Sequence, residues 1–199
     1  MTIRQLLRFA IIPVYNPVDG ISQLIKDRRK LGYSILIFLF LGIIYTISVQ
    51  LAHSRGISAA VEPIIKIPAD EYYYWQRFWQ IPFFFVTTIV FSGIVRLLAE
   101  AFGGEGSFVD IFCILSIAQT FPMFLTMWLP ETIGFVFFPG MSIMPVWLDV
   151  IRQIAGIIWP LAIVIIGINI SENISWWKSL LFTLTGSIPM AAMMVIFVR

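Results

Sequence analysis

Charged residues in this chain bracket long uncharged apolar runs, and the brackets divide it into spans. Leu31–Ala52 lies between Lys30 and His53, Phe78–Val95 between Arg77 and Arg96, and Ile111–Pro130 between Asp110 and Glu131. Gln153–Ser171 lies between Arg152 and Glu172, and Ser179–Val198 between Lys178 and Arg199. Each run is long enough for a tilted helix to cross about 30 Å of hydrocarbon. With helix signals at the edges included, the spans are about 31–52, 78–102, 108–130, 151–171 and 178–198. The pattern predicts an all-α, polytopic bundle of five transmembrane helices over residues 31–199, preceded by a basic amphipathic segment over residues 1–30.

Thr132–Leu148 is also uncharged, but Gly134, Pro139-Gly140 and Pro145 interrupt it. A lipid-exposed span must satisfy every backbone group within itself, which such a run does badly. It reads as an apolar loop on the far side, re-entrant or lying along the interface, not as a sixth crossing. Orientation follows from Lys and Arg. Arg4, Arg8, Lys26, Arg28, Arg29 and Lys30 all precede the first span, so the N-terminus is expected in the cytoplasm, with Arg96 and Lys178 on that side. Arg55, Lys66, Arg77, Arg152 and Arg199 fall on the other. Charge counting alone would accept six spans; the helix breakers favour five.

The N-terminal segment places Ile3, Leu6, Leu7, Ala10 and Ile11 on one helical face and Arg4, Gln5 and Arg8 on the other. Asn16-Pro17 then supplies an N-cap and a proline at the first helical position, with Asp19 in the first turn. Val18, Ile21, Leu24 and Ile25 share the next apolar face. Such a segment suits an anionic membrane surface, as a topology signal and interfacial anchor. The alternative is a helix that docks a protein partner at the cytoplasmic face.

Between spans two and three runs Gly103-Gly104-Glu105-Gly106-Ser107-Phe108. A glycine-rich loop that opens a helix can cradle an anion. Against a phosphate stand the capping box of Ser107 and Asp110 and the repulsion of Glu105 and Asp110. The reading adopted is a helix reversal: Gly103, Gly104 and Gly106 end one helix and permit a tight turn, and Ser107 and Asp110 start the next. Arg96 and Glu100 are i,i+4 neighbours near that end, suited to an interfacial pair or, less simply, to a gate or polar pocket.

Within the spans, Gln119, Thr120 and Pro122, then Gln153, Pro160 and Asn169, then Thr185, Ser187 and Pro189 break the apolar pattern. They either knit the helices together or line a polar cavity among spans three to five. No carboxylate stands at mid-depth, which speaks against an ion-coupled pump. Tyr72, Tyr73, Tyr74, Trp75, Phe78 and Trp79 form an aromatic belt at the start of span two.

Composition agrees with the pattern. Of 199 residues 59% are hydrophobic and 12% charged, half the charge of an ordinary soluble domain. A net charge of +2 is too small to argue for nucleic acid. With one cysteine, Cys113, and one histidine, His53, there is no disulfide, no metal cluster and no catalytic constellation to be read, and no cofactor is expected.

Taken together, Asn16-Pro17 before a basic helix, the Gly103–Phe108 turn, Ala118 and Pro122, Trp159 with Gly167, and Ser175 with Lys178 and Ser179 resemble the Yip (Ypt-interacting protein) domain family in its compact prokaryotic form. The resemblance implies a five-helix, multi-pass protein of the cell membrane with a cytoplasmic N-terminus. Eukaryotic relatives bind Rab-type GTPases and act in vesicle trafficking. This sequence lacks their long N-terminal region and their Asp-Leu-Tyr-Gly-Pro motif, so Rab binding is not carried over. The function expected is a non-enzymatic scaffold or adaptor. Its partners would be the lipid bilayer, a protein at the cytoplasmic face and a second copy of the chain. The alternative is a small transporter, channel or lipid-handling protein.

Overall fold

The computed structural model describes residues 3–58, 64–138 and 144–197, and among them there is no strand. Two short helices, α1 (Ile3–Tyr15) and α2 (Pro17–Lys26), precede α3 (Lys30–Ser54) and α4 (Tyr72–Ala101). Then come α5 (Phe108–Met123), a π-helical turn (Phe124–Trp128), α6 (Leu129–Phe137), α7 (Val146–Glu172) and α8 (Trp176–Phe197). Five rods are long and apolar enough to cross a membrane: α3, α4, the continuous α5–α6, α7 and α8. The end carrying Lys30, Ala101, Phe108, Glu172 and Trp176 is called the near end below; the other is the far end.

Lipid shapes the outside. Phe40, Ile43 and Ile47 on α3, Ile154, Ile157 and Ile158 on α7, and Leu181, Leu184 and Ile188 on α8 are all exposed. An apolar surface that continuous is untenable in water. The inside is organised by α5, where every residue from Ile111 to Thr120 is buried, as expected of a helix apolar on all sides and surrounded by others.

Span three departs from the sequence reading. The helix does not stop at Pro130 but continues through Thr132 to Phe137, and α7 already begins at Val146. The apolar loop expected over Thr132–Leu148 is thus helical at both flanks; Pro139-Gly140 lies outside the described residues. The prolines are accommodated locally. Pro122 and Pro130 each lack an N–H, and between them the helix widens to a π turn, in which Leu129 N–H reaches Phe124 O. Thr126 O, four residues before Pro130, instead accepts from Arg152 Nη1 of α7 at 2.5 Å, which also reaches Met127 O at 3.1 Å. Thr132 Oγ1 donates back to Trp128 O at 2.7 Å and meets Ser48 Oγ of α3.

The N-terminal segment also differs from a helix lying on a surface. α1 and α2 fold back on each other so closely that a Cβ on Gly20 would stand 2.5 Å from Pro13 N. Phe9 packs on Tyr33 with ring centroids 5.0 Å apart. Phe9, Ala10 and Leu24 belong to the same core cluster as Tyr33, Ile37 and Phe112. The apolar face read from the sequence is therefore split, with Ala10 inside and Leu7 and Ile11 outside. The side that packs is Leu6, Phe9, Ala10 and Pro13, and Leu7 and Ile11 lie at its margin.

Candidate functional site

The near end gathers the charges. α4 closes in a Schellman arrangement: Gly103 has φ +85°, Gly103 N–H donates to Glu100 O at 3.2 Å, and Gly104 N–H to Ala99 O at 2.7 Å. α5 opens with the capping box, Asp110 N–H donating to Ser107 Oγ and Ser107 N–H to Asp110 Oδ2, each at 3.2 Å. Both halves of the reversal are formed by the residues the sequence nominated.

What fills the turn was not foreseen. Glu172, the last residue of α7, has a fully buried side chain. Its Oε2 accepts from Gly106 N–H at 3.0 Å and from Arg96 Nη1 at 2.7 Å. Arg96 Nη1 also donates to Gly104 O at 3.3 Å, and Glu105 N–H to Glu172 O at 3.1 Å. A Cβ at Gly104 would stand 2.5 Å from Glu172 Oε2, and one at Gly106 2.6 Å from Glu172 Oε1. The glycine turn is thus an anion cradle, and its anion is a carboxylate of the same chain. Arg96 reaches Glu100, the partner expected from spacing, only at 3.6 Å. Glu100 is largely exposed, so that pair contributes little.

A second tie joins the basic run to the cap. Lys30 Nζ meets Asp110 Oδ1 at 2.5 Å and Ile25 O at 2.9 Å. Lys26, Arg28 and Arg29 remain exposed, Arg8 Nη2 donates to Gln23 Oε1 at 2.6 Å, and the side chain of Arg4 lies outside the described residues. At the far end Arg152 holds Asp149 at 2.6 Å and Glu131 at 4.0 Å while it caps the π turn.

The polar positions of the spans are not brought together. Gln119 Nε2 donates to Thr88 Oγ1 of α4 at 2.8 Å. Thr120 Oγ1 donates back to Ser116 O. Asn169 Nδ2 closes the α7–α8 turn on Ile174 O at 2.5 Å, and Ser187 Oγ donates to Thr183 O at 2.7 Å. A small cavity touches Gln119 and Thr120, but its other walls are Phe38, Gly42, Ile81, Phe84, Met123 and Trp128, among spans one to three and not three to five. Its volume of about 10 Å³ is that of a single water.

Five apolar rods with ion pairs drawn to their ends define a multi-pass helical membrane protein. Neither a curated protein nor a solved structure gives a match. The chain matches the model of the Yip1 domain over residues 13–199, nearly its whole length, and it belongs to that family.

Proposed function

We propose that the protein is a non-enzymatic scaffold or adaptor of the cell membrane, its near end in the cytoplasm, organising membrane or partner proteins through that face. One observation carries the reading: the least exposed charged side chains of the near end are engaged in ties between elements. Glu172 with Arg96 and Gly106 locks α7 to the α4–α5 turn, and Lys30 with Asp110 locks α3 to α5. Within the spans, Gln119 is bonded to Thr88, and Thr120 and Ser187 are bonded to their own helices. The result is a fixed platform, edged by exposed Lys26, Arg28 and Arg29 and by exposed Phe102, Trp176 and Trp177. These suit an anionic lipid surface or a partner protein.

A cysteine scan of spans three to five, with a water-soluble thiol reagent and Cys113 replaced, tests it. Labelling confined to the span ends, in liposomes that stay tight to small solutes, is the expected result. Labelling along one face of each helix to mid-depth would overturn the scaffold and establish a conduit.

A further inference from the structure

The hairpin of α1 and α2 goes deeper than a surface anchor. Trp159 Nε1 donates to Val14 O at 3.2 Å. Trp159 stands thirteen residues before the near end of α7, about 20 Å along its axis, whereas half of a 30 Å hydrocarbon layer is about 15 Å. From that level α2 returns along α7. A Cβ on Gly167, some 8 Å from the same end, would lie 3.2 Å from Ile21 Cδ1. At the near end Lys30 joins Asp110. The hairpin therefore runs from the near end to the middle of the bundle and back.

Three further observations fit lipid around it. Its outer side carries Leu7, Ile11, Tyr15 and Val18, exposed by 50%, 40%, 71% and 54%, and the exposed polar groups beside them are paired within the hairpin, Arg8 with Gln23 at 2.6 Å and Asp19 with Asn16 at 2.7 Å. Ile154, Ile157 and Ile158, exposed just beyond Trp159, continue that apolar surface onto α7. The turn bonds much of its backbone within itself, which a membrane interior favours: Asn16 N–H donates to Ile12 O at 2.8 Å, Asp19 N–H to Asn16 Oδ1 at 3.4 Å and Gly20 N–H to Asn16 O at 3.0 Å. Asp19, the carboxylate near the tip, accepts from Asn16 Nδ2 at 2.7 Å.

We propose that α1 and α2 form a re-entrant hairpin that enters the bilayer from the near side. It carries the Asn16-Pro17 turn to about mid-depth and presents Leu7, Ile11, Tyr15 and Val18 to the acyl chains of one leaflet. Membrane membership of the chain is given by its five spans; the hairpin is an additional, half-depth element, independent of any scaffold role.

Spin labels on single cysteines in the full chain, reconstituted in phosphatidylcholine–phosphatidylglycerol vesicles, report its depth. The variants are Leu7→Cys, Ile11→Cys, Tyr15→Cys, Val18→Cys and Lys26→Cys in a Cys113→Ser background. Ile158→Cys serves as the lipid reference and Arg28→Cys as the water reference. The ratio of collision with oxygen to collision with a nickel chelate is expected to rise several-fold from Leu7 to Tyr15. It should approach the value at Ile158 near the turn and fall back towards that at Arg28 by Lys26. A ratio flat from Leu7 to Val18 at an interfacial value would overturn the proposal in favour of a surface-lying helix. Nickel access at Tyr15 equal to that at Arg28 would place the hairpin in water and overturn it as well. The labelled positions are all exposed, and loss of any one of them still leaves the gradient measurable.

Discussion

Arg96→Met is the most informative single change. The wild-type pair joins the fully buried Glu172 side chain to an arginine side chain that is 21% exposed. Without Arg96, Glu172 Oε2 retains Gly106 N–H alone, and Oε1 has no hydrogen-bond partner among the described residues. Removing one member of a buried pair costs about 3–5 kcal/mol, because the remaining charge is stranded. The partial exposure of Arg96 lets water reach the vacated space, so the lower figure, about 3 kcal/mol, is expected. Glu172→Gln is milder. It keeps an acceptor for Gly106 and Arg96 but reduces the salt bridge to an ion–amide bond and the Gly106 bond to a neutral one, a loss of about 1 kcal/mol. Combining the two should cost less than their sum, with a coupling of roughly 1–3 kcal/mol. Reversible unfolding in mixed micelles, titrated with a denaturing detergent, measures all four corners of the cycle. A cost for Arg96→Met below about 1 kcal/mol, or strict additivity, would refute the claim that the cradle is held by this pair.

The other expectations are local. Gly106→Ala forces a Cβ to within 2.6 Å of Ser171 O and Glu172 and should destabilise by about 1–3 kcal/mol. Gly32→Ala, at a helical site with open space around it, should be stabilising by about 0.5–1 kcal/mol in the same titration. Ser107→Ala removes the acceptor for Asp110 N–H and should cost about 1 kcal/mol, with no change in any phosphate binding measured by calorimetry. Gln119→Leu breaks the bond to Thr88 and should lower stability by roughly 0.5–2 kcal/mol while the solute leak of proteoliposomes stays at the wild-type rate. Arg152→Met uncovers Thr126 O and Met127 O, so hydrogen exchange at the π turn should quicken while α8 is unaffected.

The spans could be read because charge and hydropathy act along one segment at a time, and a membrane crossing is a one-segment property. The same locality made the Gly103–Asp110 reversal legible: Schellman bonds and a capping box join residues at most five apart. Glu172 was invisible as a partner of Arg96 because 76 residues separate them, and spacing offered the nearer but exposed Glu100 instead. The length of span three was misjudged for a related reason. Pro130 looks like a stop until a guanidinium from another helix supplies what its missing N–H leaves open. The N-terminal hairpin escaped because what covers its apolar side, Tyr33, Ile37 and Phe112 among others, belongs to other helices.

Arg96 and Glu172 also set an order of assembly. A ribosome adding roughly 5–20 residues per second finishes Arg96 some 4–15 s before Glu172, since the two are 76 positions apart. Over that interval span two, ending in a cation, is made without the carboxylate that will bury beside it. Glu100, four residues on and 3.6 Å away in the finished fold, is the acid already at hand. The cradle of Gly104 and Gly106 likewise stays empty until span four is complete. Closure of the near end is therefore a late event of synthesis, and a chain truncated before Glu172 would retain spans one to three with an open, unneutralised turn.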